Sequence, residues 1–220
     1  MPSGKKRNKK KKSWRKAVQK AMRKSTEEEA LERYGTREPL FNYRWEHVKA
    51  VVTLTLKLAD LTGADREVIE AAAWLHDVCK REGENHPEAG AQFARRFLPK
   101  TDFPSQKIDS VARAIENHIG LWRNEPLQDL ESQVLWDGDK LAKIGLTAAF
   151  HFTGGTLAKG QPKTTEDLIA NGRDADWQEK TVASMHTEPA RRAAQKRLEA
   201  YNQLWCTLEA ELNGDDMTAG

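Results

Sequence analysis

At 220 residues, with 38% hydrophobic and 31% charged residues, the chain is long enough for one sizeable domain with a real core. No apolar run approaches the about twenty residues that a membrane span requires, and the start of the chain lacks the apolar segment of a secretory signal. The two cysteines, Cys79 and Cys206, form neither a metal-type pair nor a disulfide framework, so a cytoplasmic location is the expectation.

The formal net charge of +3 conceals a split. Residues 1–24 hold twelve lysines and arginines and no acid, which leaves 24 bases against 33 acids in the rest. This first stretch reads as a basic, disordered arm, because Pro2 to Lys12 bury too little apolar surface to offset the entropy of ordering, while Trp14, Val18 and Met22 fall at helical spacing and give the part after Lys12 the pattern of a basic helix with a thin apolar stripe. Such an arm meets nucleic acid or another polyanion by releasing counterions, or serves only as a solubilising tail. Ser25-Thr26-Glu27-Glu28-Glu29 reads as a helix start with acids in its first turn. It opens an all-α domain expected over residues 25–212, a single helical bundle with a flexible tail at 213–220.

Val48, Val51, Val52, Leu54, Leu58 and Leu61 give a helical pattern after Trp45, with His47 near its start. Gly63 breaks it, and Asp65 caps the next helix, which carries Val68, Ile69, Ala72, Ala73 and Leu75 to the doublet His76-Asp77. His86-Pro87 opens a further helix, with proline suited to the first turn. Phe103-Pro104-Ser105 starts the one that ends at His118. Residues 121–130 read as an irregular loop. Val134-Leu135-Trp136-Asp137-Gly138-Asp139 enters another helix, where Gly138 loosens the first turn and Gly154-Gly155 ends the region. Residues 156–176 read as a long polar excursion that closes over substrate, and Thr187 caps a final helix through Leu208.

Imidazole nitrogens and carboxylate oxygens scattered over separate helices are how bundle cores hold divalent transition metals. His47, His76, Asp77, His86, His118 and Asp139 supply such a set. Phe41-Asn42-Tyr43-Arg44-Trp45-Glu46-His47, Trp74-Leu75-His76-Asp77 and Asp137-Gly138-Asp139-Lys140-Leu141 resemble the three ligand-bearing motifs of the HD-domain metal-dependent phosphohydrolases. The resemblance covers about residues 41–150. It implies a metal site of His47, His76, Asp77 and Asp139 for Mn, Fe or a similar divalent ion, with Asp137 left as a supporting or capping residue.

The resemblance also implies water activated by that metal attacking a phosphoester or phosphoanhydride of a nucleotide-like substrate, with Asp77 and Lys80 as catalytic residues. The surroundings of His86 and His118 resemble the bacterial enzymes that cleave diadenosine tetraphosphate, a dinuclear subgroup, so one ion or two remain open. Lys80, Arg123, Lys140 and Lys143 are the substrate-phosphate candidates, with Lys159 further out. Thr187, Ala190, Ala194 and Arg197 resemble the closing helix of small HD nucleotide pyrophosphohydrolases. Lys80-Arg81 replaces the acidic residues that alarmone hydrolases and deoxynucleoside monophosphatases carry after the doublet. Two alternatives stay open: an HD-type di-iron oxygenase, and a nucleotide-sensing, RNA-associated binding protein without turnover.

Overall fold

The computed structural model describes residues 12–160, 164–174 and 176–217. Among them the chain is helical, with no strand and one isolated bridge between Lys12 and Thr101. No helix is long and apolar enough to cross a membrane.

The first helix, α1 (Trp14–Tyr34), runs straight through the domain boundary expected at residue 24. Trp14, Val18 and Met22, one turn apart, are buried in the main core, and the Trp14 ring meets Phe103 edge-on with centroids 5.1 Å apart. The Trp14 backbone N–H donates to Asp102 Oδ1 at 2.7 Å, which pins the helix start. Burial of three large side chains on one stripe outweighs the repulsion among the exposed lysines around them. No helix starts at Ser25. Its hydroxyl donates to the Val78 carbonyl at 2.7 Å, and Thr26 Oγ1 donates to the Arg23 carbonyl at 2.8 Å, so both serve packing within a continuous helix. The expectation for residues 1–11 lies outside the described residues.

Helix α2 (Tyr43–Thr62) is capped by Asn42, which accepts from the Trp45 N–H at 3.0 Å, and ends at Gly63 in the left-handed region. Asp65 caps α3 (Arg66–Leu75) as expected, accepting from the N–H groups of Glu67 and Val68. Helices α4 (His86–Phe97), with proline in its first turn, and α5 (Ile108–Glu116) follow, and together α1 to α5 enclose the larger core.

Helix α6 (Leu130–Leu141) starts before Val134. Gly138 lies deep inside it rather than in a loose first turn. A Cβ there would fall 2.2 Å from Thr55 Cγ2, so glycine is what lets α6 lie against α2. Helix α7 (Gly145–Leu157) contains Gly154 and Gly155 instead of ending at them. The expected polar excursion is partly regular, since α8 (Thr165–Arg173) has a capping box between Thr164 and Asp167. Helix α9 (Trp177–Ala183) leads to α10 (Glu188–Asn213), after which Gly214 takes the left-handed conformation. Ala190 and Ala194 of α10 are buried in a second core with Leu58 and Leu141, and Arg197 donates to the Leu141 carbonyl.

Candidate metal centre

Four elements bring one imidazole each to the middle of the bundle. His47 comes from the first turns of α2 and His76 from the C-terminal end of α3; His86 opens α4, and His118 follows α5. All four are buried, as are Asp77 and Asp139.

Local backbone fixes which nitrogen of three of these rings faces inward. His76 Nδ1 is 2.8 Å from the Ala73 carbonyl, His86 Nδ1 is 2.6 Å from the Gly83 carbonyl, and His118 Nδ1 bonds to the Ile115 carbonyl. A carbonyl can only accept, so each Nδ1 carries the proton and each Nε2 presents a lone pair. The Nε2 atoms of His86 and His118 then face each other at 3.1 Å. Two lone pairs at that distance repel unless a positive centre lies near both, and Lys80 Nζ supplies part of it from 3.0 Å of His86 Nε2.

Asp77 stands between two groups of side chains. Its Oδ2 lies 3.9 Å from His47 Nε2 and 3.5 Å from His76 Nε2, while its Oδ1 lies 3.4 Å from His86 Nε2 and 3.6 Å from His118 Nε2. His47, His76 and Asp77 could hold one cation, and Asp77, His86 and His118 another. Asp139 Oδ1 is 3.0 Å from His47 Nε2 and 3.9 Å from His76 Nε2, at the edge of the first group. His76 Nε2 and Asp77 Oδ1 are buried without any hydrogen-bond partner. Orphaned acceptors of this kind are costly in a protein interior. Neutral imidazole nitrogen and carboxylate oxygen are also the donors a divalent transition metal takes, so the residues fit such an ion.

Electrostatics keep the set in ligand-competent form. Burial drives His47 down to about 3 and His118 down to about 4, so both imidazoles stay neutral near pH 7. Burial works to raise the Asp77 carboxyl, but the Arg44 guanidinium together with His76 and His118 outweighs it and holds the group well below the usual carboxylate range. Asp139 is likewise opposed by burial and held well down by Lys140 and Lys143.

The lysine expectations divide. Lys80 Nζ lies 3.3 Å from Asp77 Oδ1 with a partly exposed side chain, at the mouth of the cluster. Lys143 Nζ lies 2.8 Å from Asp139 Oδ1 and also lines a cavity of about 420 Å³. Lys159 lines that same cavity. Lys140 does not line that cavity. It is fully buried, donates to Asp139 Oδ2 and to the His118 carbonyl at 2.8 Å, and lies over the Trp136 ring, so it braces the ligand-bearing segments from behind. Arg123 also points away: its guanidinium donates to the Asn117 carbonyl at 3.0 Å and lines a separate small pocket beside His186 and Arg191. A larger cavity, about 1040 Å³ between α1 and α4, touches none of the clustered imidazoles or carboxylates.

Asp137 is a cap. It accepts from the backbone N–H groups of His186 and Thr187, at 2.8 and 2.7 Å, and from the Thr187 hydroxyl at 2.7 Å. It thereby ties α6 to the start of α10. Sequence reasoning assigned no role to Arg44 and gave Glu29 only a place in the first turn of a helix. Arg44, buried, donates to Asp77 Oδ2 on one edge and to Glu29 of α1 on the other, with Nε to Oε2 at 2.9 Å. A basic residue one helical turn before a ligand histidine was the available signal, and charge at that position usually means solvent.

Residues 44–144 match the HD domain family model. The chain carries an HD domain. In sequence, the HD domain resembles a short part of the bifunctional uridylyltransferase/uridylyl-removing enzyme of Rhodopseudomonas palustris. The identity is 43% over 54 residues, which is 24% of this chain but only 6% of that enzyme's length. In fold it resembles a predicted HD superfamily hydrolase from an uncultured Thermotogales bacterium (TM-score 0.63, 20% identity, 90% of this chain and 92% of that one). It also resembles Bacillus subtilis YpgQ (TM-score 0.62, 19% identity, 91% and 98%). A structure of YpgQ in complex with ADP is similar as well (TM-score 0.61, 19% identity, 89% and 98%). These likenesses show the fold. The helices flanking residues 44–144, α1 and α7 to α10, thus belong to an architecture that these structures share across nearly their whole length.

Proposed function

We propose that this chain is a metal-dependent phosphohydrolase that cleaves a phosphoester or phosphoanhydride bond of a nucleotide-like substrate. The observation that carries the reading is Asp77, whose two oxygens face two separate pairs of imidazole Nε2 atoms. A divalent cation, Mn, Fe or similar, held in one or both groups would supply Lewis acidity and a lowered pKa for water. His47, His76, Asp77 and Asp139 hold the first ion in this reading, and Asp77, His86 and His118 the second.

The remaining roles belong to side chains. Lys80 is placed to meet charge that develops on phosphate, and Lys143 lies where the cluster opens into the cavity. Asp77, kept anionic by Arg44, is the carboxylate within reach of both groups and accepts the proton. A nucleotide-like substrate is favoured by the ADP found with YpgQ and by the uridylyl-removing activity in the name of the relative matched in sequence. Elemental analysis of protein purified without chelator, paired with a phosphate-release screen over nucleotides and dinucleoside polyphosphates, tests the reading. Iron with oxygen-dependent turnover and no phosphate release would replace it with the oxygenase.

A second reading concerns a partner. Lys16 and Lys20 stand exposed one turn apart on α1, followed by Lys24, which also pairs with Glu28 at 3.7 Å, and like charges at this spacing weaken a helix unless an anion meets them. We propose that the N-terminal segment contacts RNA through them. Salt-sensitive RNA retention should weaken when the three are changed to Glu; unchanged retention rejects the contact.

A further inference from the structure

The 420 Å³ cavity beside Lys143 falls within the usual size of small-molecule pockets. Two of its walls belong to the metal centre. Tyr43 stacks on the His47 ring, with centroids 6.0 Å apart and planes 6° from parallel, and Lys143 bonds to Asp139. The opposite contributions come from helices that supply nothing to the ligand cluster: Trp177 and Gln178 from α9, and Tyr201 from α10. Lys143, Lys159 and Arg33 line the cavity and no carboxylate does, so it suits an anion.

Gln178 decides what else it suits. The residue is 1% exposed, and its Oε1 is buried without a hydrogen-bond partner. The Tyr201 hydroxyl does not supply the missing donor to Oε1, because it already donates to the Gly172 carbonyl at 3.0 Å. An amide oxygen left without a partner on a residue that lines an aromatic, cation-lined cavity suits a flat ligand with an N–H donor on its edge. We infer that the cavity holds the base and sugar of a nucleotide with an amino-bearing base, Gln178 Oε1 accepting from the exocyclic amino group and Lys143 meeting the phosphates. The phosphate end rests on the hydrolase reading; the base end stands on Gln178.

Calorimetric titration of the full-length, chelator-treated protein with adenosine monophosphate and with purine riboside monophosphate, which lacks the 6-amino group, tests this. Wild-type protein is expected to bind the second at least about tenfold more weakly, because a buried acceptor would be left unpaired. Gln178→Leu and Gln178→Met, checked for folding by circular dichroism, should lose that preference. Equal binding of both ligands by wild-type protein, or no binding of adenosine monophosphate, overturns the inference, as does a folded variant that keeps the preference. Release of phosphate from inorganic tripolyphosphate by wild-type protein with Mn separates the two readings. Cleavage of tripolyphosphate without base preference removes the pocket and leaves the hydrolase, whereas base preference without phosphate release from any substrate keeps the pocket and removes the hydrolase.

Discussion

Arg44 donates to Asp77 Oδ2 across the gap between α2 and α3, and Glu29 of α1 holds the other side of the same guanidinium. The three charges are buried together, so the helix read as lying beyond a disordered arm supplies a counter-charge to the centre of the site. Arg44→Ala removes the shared buried partner of two carboxylates, leaving Asp77 to Lys80 and Glu29 to Arg33, and breaking a buried pair this way costs at most roughly 3–5 kcal/mol. The variant should unfold at markedly lower urea than wild-type protein when both are chelator-treated. Added Mn should raise its midpoint more than that of wild-type protein, because a cation restores charge beside Asp77. An unchanged midpoint would show that the Arg44 contact carries no weight.

Asp77 is the residue common to both candidate groups, which distinguishes it from every other ligand candidate. Asp77→Asn keeps the volume and removes the charge, and is expected to lower metal content in both groups and abolish hydrolysis. His118→Ala touches only the second group and should remove at most one metal equivalent. Elemental analysis of the three proteins side by side checks this. Full metal content in folded Asp77→Asn would sink the assignment.

The gathering of the candidate ligands was legible in the sequence because histidines and aspartates at the ends of apolar helices have few purely structural reasons to recur, and their order resembles a family pattern over residues 41–150. The lysines were not. Lys140 and Lys143 both follow Asp139 within one turn, and spacing alone cannot say that one lies behind the ligand and the other opens on a cavity. The start of α1 was misplaced because composition over residues 1–24 is dominated by lysine, while the three residues that decide its fate are Trp14, Val18 and Met22. Gly138 misled for a related reason: its lack of a side chain serves contact with Thr55, which no local pattern displays.

Protonation gives a pH prediction for the metal-free protein. His47 and His118 have folded values of about 3 and about 4 against an ordinary 6.5, so the unfolded chain takes up their protons first as pH falls. Stability should therefore be full above pH 6.5 and decline below it, by up to roughly 1.4 kcal/mol per pH unit for each group. His86 is lowered by burial and acts in the same direction. Asp77 and Asp139, both depressed, contribute stability that is present above their ordinary range and lost only below it, so they leave the interval from pH 6.5 to about 4 to the histidines. Urea midpoints in chelator should fall between pH 7 and pH 5; a flat profile would contradict neutral buried imidazoles.

Asp137 and Asp139 lie two residues apart on α6, yet the structure turns them to opposite tasks. Asp139 faces His47, whereas Asp137 accepts two backbone N–H groups and the Thr187 hydroxyl at the start of α10. Asp137→Ala strands these donors in the interior, at roughly 1–3 kcal/mol for each one left without an acceptor. It should lower the unfolding midpoint more than Thr187→Ala, which removes one hydroxyl and leaves the carboxylate to the two N–H groups. Neither substitution removes a ligand candidate, so metal content per folded chain should stay at the wild-type level in both. Asp139→Ala should show the converse, losing metal from the group shared with His47. Metal loss in folded Asp137→Ala together with retention in Asp139→Ala would reverse the assignment and make Asp137 the ligand.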